Sequence, residues 1–82
     1  MRYFFHIVHR SRDQDVEGIE LSGPPSARRH AITYLADTIR SEPSLLDDHD
    51  LRVEVTDERG LLLFSVVSLI LEPTGPNKLK PH

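Results

Sequence analysis

Leu51-Arg52-Val53-Glu54-Val55-Thr56-Asp57-Glu58-Arg59-Gly60-Leu61-Leu62-Leu63-Phe64-Ser65-Val66-Val67 is the stretch on which the fold turns. Leu51, Val53 and Val55 alternate with Arg52, Glu54 and Thr56, the period of a half-buried strand. Asp57-Glu58-Arg59-Gly60 supplies a turn, with Gly60 placed for a left-handed backbone. Leu61 to about Leu71 reads as the returning strand, broken only by Ser65 and Ser68. It is apolar on both faces: Leu62, Phe64 and Val66 point one way, Leu61, Leu63 and Val67 the other.

Working back toward the N-terminus, Leu45 to Asp50 is an acidic connection, and Pro43 argues against helix beyond Glu42. Gly23-Pro24-Pro25 opens a helix that runs to about Arg40, with Ala27, Ala31, Leu35, Thr38 and Ile39 at helical spacing. The small alanines allow close approach to a sheet. Residues 2–9 are aromatic and β-branched, as a strand requires. Residues 10–15 read as a loop and Val16 to Leu21 as a second strand, with Gly18 as a bulge or bend.

The expected architecture is α+β in the order β-β-α-β-β, a four-stranded antiparallel sheet with one helix packed on one face. Residues 1–72 form a single domain, followed by a flexible proline-rich tail over residues 73–82. Leu, Ile, Val and Phe make 25 of the 82 residues, enough for a folded chain but for a thin core. There are no cysteines, which excludes disulfides, thiolate zinc sites and a cysteine nucleophile. The run Tyr3-Phe4-Phe5 is cut by His6, with His9 and Arg10 following, so neither a signal peptide nor a membrane span is expected, and the cytoplasm is the expected compartment. The net charge of −3, with both signs interleaved, argues against nucleic acid as a partner.

Candidate chemistry is sparse. His6 and His9 differ by three, which places them on opposite faces of a strand rather than in one metal site. His49 among Asp47, Asp48 and Asp50 reads as a solvated acidic loop. Asp13, Asp15 and Glu17 form one acidic patch, Asp57 and Glu58 another. The path places the two at opposite ends of the sheet, with Asp57 or Glu58 beside the positive end of the helix. No serine sits in a nucleophile motif and no glycine loop cradles phosphate. No catalytic residue, metal or cofactor is expected, and the reading is that the protein is not an enzyme.

One helix covers one sheet face, so the double-sided strand leaves an apolar surface. Phe4, His6, Val8, Leu61, Leu63 and Val67 are its candidate residues, expected to form an interface with a second copy or another protein.

The motifs Arg2-Tyr3-Phe4-Phe5-His6, Asp15-x-Glu17-Gly18-x-Glu20-Leu21, Ala27-Arg28-x-x-Ala31 and Val55-Thr56-Asp57-Glu58-x-Gly60 occur in that order. This succession resembles an uncharacterised family of small alphaproteobacterial proteins known only as a domain of unknown function. Members often carry Asp-Gly after the first strand, where this chain has Arg10-Ser11, and Pro-Phe at the end of the last, where it has Val67-Ser68. The resemblance implies an intracellular bacterial protein, makes His6, Asp57 and Gly60 parts of a family pattern, and supplies no activity. Residues 18–39 also resemble small antitoxins of the HicB type, which implies, as an alternative, a regulator that binds a small partner protein. A third reading is a small ligand binder or enzyme using His6.

Overall fold

The computed structural model describes residues 1–73. The expected tail thus lies, apart from Pro73, outside the described residues. Seven elements follow in order among them: β1 (Arg2–Val8), β2 (Arg12–Asp13), β3 (Ile19–Glu20), α1 (Pro24–Ser41), a 3-10 turn (Pro43–Leu46), β4 (Leu51–Thr56) and β5 (Leu62–Ser68). The pairings are antiparallel, in the order β2-β1-β4-β5, and β3 pairs with the same edge of β1 as β2 does. The α+β architecture with one helix on an antiparallel sheet is as the alternation and the alanine spacing require.

β1 and β4 form the centre. Phe5 faces Val55 and Ile7 faces Val53, while Val53 in turn faces Val66 on β5. Tyr3, Phe5, Leu51, Val53 and Val55 lie buried against Ala27, Ala31 and Leu35 of α1. The small alanines let the helix come down close onto the Leu51, Val53 and Val55 side chains of β4. At about 25 cal/mol per Å² of apolar surface removed from water, this single layer is the main source of stability.

Two expectations are corrected at the sheet margins. The second strand expected over Val16–Leu21 shortens to Ile19–Glu20 against Tyr3 and Arg2, and the stretch expected to be a loop over residues 10–15 holds another short strand, Arg12–Asp13, against Val8 and Ile7. The chain between them bulges away from β1, and Gly18 turns it back with φ +72°. In β5, a register shift pairs Thr56 with Leu62 after Val55 has paired with Phe64. That bulge breaks strict alternation, so Leu62 is 53% exposed instead of sharing the packing of Phe64 and Val66. β5 ends at Ser68, and Leu69 to Leu71 continue beyond it, exposed.

Candidate functional site

His6 lies on the sheet face away from the helix, opposite Glu54. It is only 3% exposed. The Asp15 backbone N–H donates to His6 Nδ1 at 3.0 Å, which fixes the neutral tautomer with its proton on Nε2. That Nε2–H donates in turn to Thr56 Oγ1 at 2.8 Å. Burial, and then the Arg12 guanidinium, lower the His6 pKa, opposed by the carboxylates of Asp15 and Glu54.

Asp15 holds the gap between β2 and β3. Its Oδ2 accepts the Phe5 N–H at 3.1 Å, a β1 group that neither short strand reaches. Its Oδ1 accepts the N–H groups of Glu17 and Gly18, both at 3.1 Å. Burial pushes this carboxyl up, but the three backbone donors outweigh burial and, with His6, hold it below the usual range. Asp57 does the same for the second hairpin. Oδ1 accepts from Arg59 N–H at 2.8 Å and from Leu61 N–H at 3.0 Å, while Oδ2 takes the Arg59 guanidinium at 3.0 Å. Its carboxyl is nearly buried in its own turn, where the expected role beside the helix end is replaced by turn closure. The helix instead begins at Gly23 with no side-chain cap.

These groups surround a shallow cavity of about 300 Å³ lined by His6, Arg12, Asp15, Thr56, Asp57 and Glu58, among others. The two acidic patches expected at opposite ends therefore meet. Residues 14–18 run back along the edge of β1 instead of closing a tight loop, and so reach the level of the second turn. Among the described residues, no group of three or more His, Asp or Glu side chains is placed to hold a metal ion. His9 faces the helix side, as the strand period requires. Its ring N–H donates to the Leu45 carbonyl at 2.6 Å, beside a larger cavity of about 620 Å³ near the C-terminal end of α1.

The succession Arg-Tyr-Phe-Phe-His, Asp-x-Glu-Gly, Thr-Asp-Glu-x-Gly thus converges on one framework, and the family model for a domain of unknown function, DUF6894, matches residues 2–69. The chain belongs to this family. No curated protein and no solved structure matches it. In this DUF6894 domain the motif residues carry architecture. Asp15, His6 and Thr56 tie the 14–18 segment to β1 and β4, while Asp57 and Gly60 shape the second turn. In the sequence Asp15 stands in the family motif and in an acidic patch, and neither points to its part in holding the backbone. The spacing of an Asp with backbone donors two and three residues later was the available signal.

The six expected interface residues divide. His6 presents almost no surface, because residues 14–16 and Thr56 enclose it, and Phe4 and Val8 are half-buried. Leu61, Leu63 and Val67 are 55%, 39% and 48% exposed. The apolar surface therefore belongs to β5 more than to β1. β5 is the edge of the sheet, and beside it an apolar groove of about 570 Å³ runs between Phe64–Val67 and Pro24, Arg28 and Ile32 of α1.

The neutral state of His6 makes stability depend on pH. Its folded pKa lies below the ordinary 6.5, so as pH falls the unfolded chain takes up the proton first. Stability is complete above about pH 6.5 and declines as pH drops through the folded value. The depressed Asp15 and Glu54 carboxyls add a second loss below their ordinary values of 3.8 and 4.5. Urea midpoints measured from pH 7.5 downward are expected to show the first decline in the wild type, and His6→Gln is expected to abolish it while keeping the second. An identical first decline in the variant would assign it to another group.

Proposed function

We propose that this DUF6894 domain is a non-enzymatic protein-interaction module that recruits another chain by extending its sheet at β5. The observation that carries the reading is an edge strand, unpaired on its outer side among the described residues, within eleven uncharged residues, Leu61 to Leu71, apolar on both faces. Natural edge strands are ordinarily blunted by Lys, Pro, inward-pointing charge or extreme shortness. β5 carries no charge or proline over seven residues, and its bulge sits at one end only. Main-chain pairing at such an edge supplies affinity, and the flanking side chains supply selectivity. The titratable groups of the His6 cavity support the same reading. Asp15, Asp57 and His6 each have both their polar atoms engaged in holding the backbone or a neighbour.

Val67→Lys places a charge on the edge without entering the packing beneath the helix. Native mass spectrometry of the protein isolated from its own host is expected to give an assembly for the wild type and a single chain for Val67→Lys. A single chain for both would remove the proposal.

A further inference from the structure

We infer that the chain β5 recruits is a second copy, paired antiparallel to it about a two-fold axis through Ser65. The inference rests on the interaction-module reading and adds the partner and its register. In an antiparallel self-pair centred on residue 65, Leu63 stands opposite the partner's Val67, Phe64 opposite the partner's Val66, and the two Ser65 residues face each other. From Leu63 to Val67 every apolar side chain then meets an apolar one, on both faces, and Ser65 meets itself; the one mismatch, Leu62 against Ser68, falls at the ends of the strand. Moving the centre to Val66 sets Phe64 against Ser68 and Ser65 against Val67, which matches worse on each face. Register in a sheet is set by such matching. Because Leu61 to Leu71 holds no charge, no like-charge pair arises across the axis, the usual obstacle to a strand pairing with itself.

The helix geometry fits as well. A two-fold axis normal to the sheet leaves both helices on one face. With α1 over β4, three strand spacings separate the two helix axes, about 14 Å, against about 8–10 Å for helices in direct contact. The residual gap is one side chain deep from each side. Ile32, 53% exposed at the groove, is placed to fill it. Arg28 lines the same groove, where its stem covers apolar surface while its charge stays at the rim. Two-fold pairs are the commonest assemblies, and a small core gains most from one.

The register is tested by charge. Leu63→Lys with Val67→Lys puts Lys opposite Lys across the axis, whereas Leu63→Lys with Val67→Glu puts Lys opposite Glu. Positions 63 and 67 of one strand lie about 13 Å apart, too far to pair within a chain. By light scattering, the Lys/Lys form is expected to be a monomer and the Lys/Glu form a dimer, weakened by added salt. Ser65→Cys, which introduces the only thiol into a cysteine-free chain, is expected to give a disulfide-linked dimer on mild oxidation, with the monomer's circular dichroism retained. A wild-type dimer whose Lys/Glu form stays monomeric and whose Ser65→Cys variant does not cross-link would overturn the register and leave the β5 module standing. A native complex of one copy with a different protein, lost in Val67→Lys, would overturn the self-pair in the same way.

Discussion

Gly18→Ala is expected to lower the stability of the domain by about 3 kcal/mol, the sum of a left-handed backbone penalty of about 1–2 kcal/mol and an overpacking penalty of about 1–3 kcal/mol. Gly18 has φ +72°, and a Cβ there would sit 2.8 Å from Phe4 Cε2 and 2.9 Å from the Tyr3 carbonyl oxygen. The carbonyl belongs to β1 and cannot yield without disturbing the pairing of Tyr3 with Ile19. Gly60→Ala is the control. Its φ is +82°, but nothing lies within 4 Å of the added carbon, so only the left-handed backbone penalty of about 1–2 kcal/mol applies. Urea denaturation of the two variants separates the contributions. Equal losses would mean that the close approach at Gly18 costs nothing.

Asp15→Ala is expected to cost about 2–3 kcal/mol. It removes the acceptor for three backbone N–H groups, and such charge-assisted bonds contribute more than neutral ones, reduced here by partial exposure. Its signature is local. Phe5 N–H, held by Oδ2 at 3.1 Å, faces the edge of β1 where neither β2 nor β3 reaches. In the variant this amide is expected to exchange far faster, while the amides of β4 stay protected. The oligomeric state should not change, because Asp15 lies on the opposite side of the sheet from β5. Unchanged Phe5 exchange would show that another group satisfies that donor.

How far the sequence reveals this fold depends on which force decides each segment. Leu51 to Thr56 and the Ala27, Ala31, Leu35 spacing are decided by burial of one face, and burial leaves a period in the sequence. Val16 to Leu21 has nearly the same alternation but is decided locally. The Asp15 carboxylate captures the N–H groups of Glu17 and Gly18, and the left-handed turn at Gly18 returns the chain to β1 only at Ile19. Side-chain capture of backbone donors competes directly with strand pairing, and periodicity does not register it. The bulge that exposes Leu62 is likewise invisible to a strict period of two. His6 was legible as a strand residue of the family pattern, but its partners were not. Thr56 is brought to it by the register of β1 against β4, and Asp15 by the return of residues 14–18 along the sheet edge. The double-sided apolar character of Leu61 to Val67 was plain in the sequence. What the fold adds is that, among the described residues, this strand stands at the edge of the sheet with no strand paired to its outer side.

The most direct test of the β5 edge is amide hydrogen exchange, residue by residue, at low and high protein concentration. In β5, alternate amides point toward β4 and are protected within one chain, while the others point outward. The expected result is that the outward amides between Leu63 and Val67 gain protection as concentration rises and lose it in Val67→Lys. Outward amides that exchange freely at every concentration, beside fully protected inward ones, would contradict the self-paired strand.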